Sequence, residues 1–222
     1  LRQCGAAPPG PLLEVACGTA RVALLLARRG WSMSGLDLRP EMLAFAEQRA
    51  RAQGIALGTI RADMTRFDAG GDFAAAINPM SSFRLLDSDA AALAHLRCVA
   101  AALRPSGIYA LDLTLARTAD EPPITTSEAW EMSEGDVTVR ATDDSILVNE
   151  AGRERTLAWG AEAHLRVLTG SAFLDLVEAS GAFELLSWHP ERTRDSGVSE
   201  FDPKRSSLPL VGRGIAALRR NG

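Results

Sequence analysis

The stretch Pro11-Leu12-Leu13-Glu14-Val15-Ala16-Cys17-Gly18-Thr19-Ala20 decides how this 222-residue chain reads. Leu12, Leu13 and Val15 form the short apolar run of a strand covered on both faces. Gly18 marks a point where backbone can bend sharply or let a ligand come close. Arg21-Val22-Ala23-Leu24-Leu25-Leu26-Ala27-Arg28-Arg29-Gly30 then reads as a helix, with Thr19 as its N-cap and Gly30 as its stop. The next apolar run, Trp31-Ser32-Met33-Ser34-Gly35-Leu36-Asp37-Leu38, ends in an acid. Strand, glycine turn, helix, strand and acid make the nucleoside-binding half of a doubly wound sheet, where the acid meets ribose hydroxyls. A dinucleotide would need glycines spaced G-x-G-x-x-G to crowd a pyrophosphate. The turn here holds one glycine, which counts against a nicotinamide oxidoreductase.

The same alternation continues outward. A helix opens at Pro40, a good first helical position, with Met42, Leu43, Phe45, Ala46 and Ala50 as its apolar stripe. A strand over 56–61 leads to Asp63-Met64 at its carboxyl end. Another over 73–77 opens onto Asn78-Pro79-Met80-Ser81-Ser82-Phe83. A helix over 89–103 follows, capped by Ser88 or Asp87 and stopped by Pro105-Ser106-Gly107. The run 108–113 is apolar enough for a central strand. After Leu115 the period changes to two: Val137/Val139 and Ile146/Val148 alternate with polar residues, as in a one-sided antiparallel sheet. Strands are expected near 127–132, 136–142, 145–148 and 154–168. Helical period returns over 171–180, then strands over 181–188 and 211–218, with a polar loop over 191–208 between them.

Composition bounds the class. The length suits one domain, or one domain with an insertion. A formal charge of −4 gives no nucleic-acid footprint. Cys4, Cys17 and Cys98 are too scattered for a disulfide framework or a zinc site, so no metal is expected. No apolar run reaches the roughly 20 residues of a membrane span and no signal peptide is visible, so a cytoplasmic protein is expected. Lys204 is the sole lysine beside many arginines and alanines, a composition that suggests a bacterial, high-GC origin. The chain starts at Leu1 rather than Met, so an N-terminal segment is expected to have been lost, processed or left out.

Glu14-Val15-Ala16-Cys17-Gly18-Thr19-Ala20 resembles motif I of the class I S-adenosylmethionine-dependent methyltransferases, and the likeness runs over about 12–113 and 168–218. The usual motif ends Gly-Thr-Gly. Ala20 departs from it, and its methyl is expected to narrow the approach to the cofactor. Gly35-Leu36-Asp37-Leu38-Arg39-Pro40-Glu41-Met42-Leu43 is similar to the second motif. The resemblance implies that Asp37 accepts from the ribose hydroxyls and that Leu38 and Met42 flank the adenosine; otherwise Asp37 is a helix-cap or surface acid. Arg61-Ala62-Asp63-Met64 is similar to the third motif, with Asp63 accepting from the adenine amino group and Met64 donating a backbone N–H; otherwise Asp63 is a turn aspartate. Asn78-Pro79-Met80-Ser81-Ser82-Phe83 resembles the fourth motif of the small-molecule branch, where this loop walls the methyl end. Asn78 and Met80 are then cofactor contacts, and Ser81 and Phe83 acceptor contacts; otherwise Phe83 is core and Asn78 satisfies backbone at a strand end. Glu14, with Ala16, Cys17 and Gly18 of the turn, would line the cleft and balance a sulfonium or ammonium charge. Its alternative is an acid bound to backbone N–H groups.

These readings give an α/β, Rossmann-like, doubly wound seven-stranded sheet with an inserted antiparallel flap. Residues 1–115 form the cofactor-binding core, 116–168 the substrate flap and 169–222 the rest of the core. The resemblance implies a last strand running antiparallel between its neighbours. The expected cofactor is S-adenosylmethionine and the expected partner a small-molecule methyl acceptor, N- or O-methylated, as in bacterial secondary metabolism. Neither nucleic acid nor membrane is expected, and a homodimer paired through the flap is allowed. His164 and His189 are the candidate catalytic imidazoles. His95 is read as solvated, and Trp130, Trp159 and Trp188 as pocket lining or, more simply, core. The competing reading is a protein of this fold that binds the cofactor without methylating, whose cofactor motifs would look the same.

Overall fold

The computed structural model describes residues 1–120, 130–134, 137–141, 145–150, 152–158, 165–190 and 210–222. Leu12, Leu13 and Val15 are fully buried in strand β1 (Pro11–Val15), as a strand covered on both faces requires. Alternation along it sends Leu12 to one face and Leu13 and Val15 to the other. On the Leu12 face lie helices α1 (Arg21–Ala27) and α2 (Pro40–Ala52), through Ala23, Leu43 and Ala46. On the other lie α3 (Asp89–Ala102) and α4 (Gly170–Ser180), through Leu96, Val99, Phe173 and Leu176.

The remaining strands of this layer are β2 (Ser32–Asp37), β3 (Leu57–Arg61), β4 (Phe73–Asn78) and β5 (Leu103–Leu115), then β10 (Phe183–Pro190) and β11 (Gly212–Arg220). They form a seven-stranded sheet in the order β10-β11-β5-β4-β1-β2-β3. The pairs among β1 to β5 are parallel. The last strand, β11, lies between β5 and β10 and runs antiparallel to both, as expected. The chain leaves β1 toward β2 and β3 on one side, then returns to β4 and β5 on the other. The switch point is therefore between β1 and β4.

Between β5 and α4, β6 (Trp130–Glu134), β7 (Val137–Ala141), β8 (Ser145–Glu150) and β9 (Arg153–Ala158) form a separate four-stranded antiparallel sheet. Its alternating Val, Ile and Leu positions were the sequence signal for it. The excursion leaves and rejoins the large sheet at one place: Ala116 N–H donates to the Leu168 carbonyl, and Ala116 bridges Thr169 in parallel.

Several boundaries differ from the sequence reading. The first helix is three residues shorter, because the turn at residues 28–30 unwinds before Gly30 at φ 92°. Its cap is Ala20 rather than Thr19, with no side-chain cap bond. Strand β5 begins at Leu103; Leu103 pairs with Phe73 and Ile108 with Ala75, so residues 104–107 bulge out of the ladder. Of the strand expected over 154–168, the part through Ala158 is strand β9, residues 165–168 are not strand, and the stretch between them lies outside the described residues. The loop expected over 191–208 lies outside the described residues.

Candidate functional site

The candidate residues gather at the carboxyl ends of β1, β2, β3 and β4. Asp37, last in β2, binds across to the glycine turn after β1. Its Oδ2 accepts from the Gly18 N–H at 2.8 Å and its Oδ1 from the Arg39 N–H at 2.9 Å. A carboxylate oxygen has two lone pairs, so each keeps acceptor capacity for a hydroxyl. The helix-cap alternative does not hold, since α2 is capped at Arg39 with no side-chain cap bond. Gly18 has φ +51°, and a Cβ built on it meets nothing within 4 Å, so open space lies over this peptide.

Ala16 and Ala20 flank that glycine, both with φ 56°, in the left-handed region that suits glycine. Ala20 is fully buried among the α1 contacts, so its methyl faces the core and does not narrow the cradle. Cys17 is buried, and burial with Glu14 and Asp37 nearby pushes its thiol up to about 12. It therefore serves as packing: a Cβ on Gly35 would meet its Sγ at 2.7 Å.

Glu14 is 2% exposed. Its Oε2 accepts from the Ala23 N–H in α1 at 2.7 Å, the backbone-bound arrangement that was its alternative reading. Burial raises its pKa to about 7 against opposing pulls from that N–H and Arg21. Across the switch point, Asn78 Nδ2 donates to the Val15 carbonyl at 2.9 Å. The Asn78 Oδ1 is buried without a hydrogen-bond partner. Such an orphan costs free energy unless a donor reaches it.

Asp63 stands exposed after β3, and its Oδ1 accepts from both the N–H and the hydroxyl of Thr65 at 2.7 Å. These bonds hold its carboxyl below the usual range. They make it the turn aspartate of the alternative reading, and both of them use Oδ1 rather than Oδ2. The Ala62 N–H donates to the Asp37 carbonyl at 3.1 Å, so the Asp63 loop is tied to the end of β2. Leu38, 62% exposed, Met80, 58% exposed, and Met42 present apolar surface at these strand ends.

Met80 and Ser81 both have positive φ, at 61° and 55°. Their loop is held by Asp112 of β5, whose Oδ2 accepts from the Met80 N–H at 3.0 Å and whose carboxylate pairs with Arg213 of β11. Sequence reasoning missed Asp112; the signal was an acid near the carboxyl end of an apolar central strand. The Met80 sulfur lies 3.9 Å from Arg21 Nη2, so the fourth-motif loop reaches the start of α1. Ser81 Oγ is 3.5 Å from Thr114 Oγ1. Phe83 does not join them: it is buried edge-on against His95 and Phe173, in the core.

His189 is the last residue but one of β10, with Nε2 2.8 Å from Ser187 Oγ. That strand is three removed from β4 in the sheet order, about 14 Å at the usual strand spacing. The structure therefore does not bring His189 to Asn78; the Met80 loop is held on Asp112 of β5, and Asp112, Ile215 and His189 stand in one row across β5, β11 and β10, about 10 Å from end to end. His164 and Trp159 lie outside the described residues. Trp188 is buried, as its core reading expected. His95 is not solvated: it is wholly buried, and burial lowers its pKa to about 4. Among the described residues no His, Cys, Asp and Glu cluster could hold a metal ion.

The family described as "Methyltransferase domain" matches residues 12–107, the segment that carries β1 to β4, α1 to α3 and every cofactor candidate above. Over that segment the chain is similar to that family. The resemblance to class I S-adenosylmethionine-dependent methyltransferases is borne out. The chain is 31% identical over 106 residues to the Bacillus subtilis (strain 168) protein named "Putative methyltransferase YqeM", covering 47% of this chain and 42% of that one. The chain thus spans less than half the length of that curated relative. In fold, it resembles an S-adenosylmethionine-dependent methyltransferase from Clostridium acetobutylicum ATCC 824, with TM-score 0.69 and 15% identity over 96% of this chain and 84% of that one. It also resembles an amino pentose methyltransferase from Micromonospora echinaspora involved in calicheamicin biosynthesis, with TM-score 0.65 and 24% identity over 99% and 86%.

The cofactor that goes with this methyltransferase family is S-adenosylmethionine, and the residues present fit it. Open space over Gly18 admits a ligand beside the backbone. Two acceptor carboxylates suit hydroxyl and amino donors, exposed apolar side chains suit an aromatic ring, and the unpaired Asn78 Oδ1 can take an N–H.

Proposed function

We propose that this chain is an S-adenosylmethionine-dependent methyltransferase acting on the nitrogen or oxygen of a small molecule, in a bacterial, cytoplasmic setting such as secondary metabolism. The observation that carries the reading is the Asp37 carboxylate closing on the Gly18 N–H over an open glycine turn at the switch point. In this reading Asp37 takes the ribose hydroxyls, Asp63 and the Met64 N–H take adenine, and Leu38 and Met42 cover its faces. Glu14, Ala16, Cys17, Gly18, Asn78 and Met80 line the methionine end, with Ser81 toward the acceptor. The cofactor, when bound, supplies a methyl group on a sulfonium. The protein's part is to align the acceptor with that group and to exclude water, which accounts for much of the rate in such displacements.

The acceptor is proposed to lie under the segment 116–168, beside the Met80–Ser81 loop. An amine or an acidic hydroxyl fits, because the loop residues Asn78, Met80 and Ser81 are neutral and supply no strong base. The amino pentose specificity of the Micromonospora neighbour supports testing amino sugars first. The test is incubation with methyl-labelled S-adenosylmethionine and a panel of amino sugars, other amines and phenols, read by product mass. Labelled product supports transfer. Tight S-adenosylhomocysteine binding with no product across the panel would favour the non-methylating reading. His189→Ala should lower kcat by less than about tenfold, since a positioned general base contributes roughly 10²–10⁴. A larger loss in a folded variant would restore His189 as a base.

A further inference from the structure

His95 and Tyr109 lie outside every motif discussed for the cofactor, yet one of them touches the loop that carries two candidate contacts. His95, on α3, places Nδ1 2.9 Å from the Met64 carbonyl. Its Nε2 lies 2.6 Å from the hydroxyl of Tyr109 on β5. Both side chains are fully buried. A carbonyl oxygen can only accept, so Nδ1 carries the proton. The neutral ring then has a lone pair at Nε2, and the Tyr109 O–H donates to it. Direction is thus fixed along the relay: Tyr109 O–H to His95, His95 N–H to Met64 O.

Met64 follows Asp63, and the relay grips the carbonyl of the Met64–Thr65 peptide, one peptide beyond the Met64 N–H. The same loop is held again from α3 by Cys98, whose thiol donates to the Thr65 carbonyl at 3.4 Å. Asp63 is in turn fixed by its bonds to Thr65. Phe83 packs edge-on against the imidazole at 5.4 Å between ring centres, which sets the ring's plane. A polar relay inside an apolar core is costly unless each member is satisfied, and here each is. A hydrocarbon at position 95 would fill the same space without reaching the loop.

We propose that His95 and Tyr109 are positioning residues that hold the Asp63–Met64 loop in register for adenine, so that base selectivity is set partly from the core. The inference rests on the reading of Asp63 and Met64 as the adenine contacts. It assigns them a rigid support on the far side: Tyr109 of β5 orients the imidazole, and the imidazole orients the Met64–Thr65 peptide, which fixes Met64 from its carbonyl end.

The test compares S-adenosylhomocysteine with S-inosylhomocysteine, which differ only at the base edge that Asp63 and Met64 face, by calorimetry on the full chain. The wild type should prefer the adenine compound. His95→Leu should weaken S-adenosylhomocysteine roughly tenfold, the worth of one directed hydrogen bond, and shrink the preference between the two bases. His95→Gln retains an amide donor for the Met64 carbonyl and an oxygen for the Tyr109 hydroxyl, and should restore both. Tyr109→Phe removes a single oxygen and keeps the core shape; it should shift the preference in the same direction by less, and it serves where His95→Leu fails to fold. A preference that is unchanged in folded His95→Leu or Tyr109→Phe, with only thermal stability lowered, overturns the proposal. So does a folded His95→Gln that leaves the preference lost. A wild type with no base preference would instead overturn the adenine reading itself.

Discussion

Two buried or half-buried acids stand side by side in the cleft and do different work. Asp37 already accepts two backbone N–H groups, from Gly18 and Arg39, and still has lone pairs to offer. Asp37→Ala should remove hydrogen bonds to a charged acceptor worth about 1.5–3 kcal/mol, weakening cofactor binding by roughly ten- to a hundredfold. Calorimetry with S-adenosylhomocysteine checks this; unchanged affinity removes Asp37 from the ribose. Glu14 is set by burial instead. Its pKa rises from 4.5 unfolded to about 7 folded, so the folded state favours its protonated form. The stability this gives is fully present below pH 4.5 and is lost as pH climbs through 7. Denaturant midpoints of the cofactor-free protein should therefore fall between pH 5 and 8 by more in the wild type than in Glu14→Gln, whose amide cannot ionise. Equal slopes would place the titration elsewhere.

At the scale of elements, the β1–α1 turn carries strain that its glycine count conceals. A non-glycine residue in the left-handed region costs about 1–2 kcal/mol. Ala16 is half-exposed, so Ala16→Gly relieves that cost with little loss of packing, against the added flexibility of glycine when unfolded. The expected gain is about 0.5–1 kcal/mol, or roughly 1–4 °C in Tm. Ala20→Gly should come out near neutral, because its fully buried methyl is worth about 0.8 kcal/mol. Thermal unfolding of the two variants separates them; a destabilised Ala16→Gly would show that its methyl packs. This turn also shows what was legible. Period and punctuation show the strand, the turn, the helix and the acid that ends β2, because each is a local signal. The sense of Ala20's methyl depended on which way a left-handed residue faces in three dimensions. Likewise, the apolar, one-sided pattern of α3 does not reveal that His95 finds Tyr109 and Met64 inside the core. The sequence reads the imidazole as solvated. Phe83, in a motif loop, looked like pocket wall, and only its contacts with His95 and Phe173 turn it inward.

For the whole molecule, the second sheet is an excursion with a single root. The segment leaves after Ala116 and returns beside it at Leu168 and Thr169, while Arg166 N–H donates to the Arg84 carbonyl and Arg84 Nε to that of Arg166. Replacing residues 118–164 by a Gly/Ser linker of roughly eight residues, with a reach of about 15 Å, should keep the seven-stranded layer closed. S-adenosylhomocysteine affinity should stay within about threefold, since no cofactor candidate lies in the segment and such a shift is under 1 kcal/mol. Methyl transfer should vanish. Joint loss of binding and folding would show that the segment belongs to the core. The single root has a further meaning for descent. A stretch of chain that begins and ends at one doorway can be exchanged, lengthened or cut without disturbing the strands that flank it. On the proposed function, the two halves of the chemistry then vary independently: what donates the carbon stays in the frame, and what receives it is chosen by a replaceable cassette.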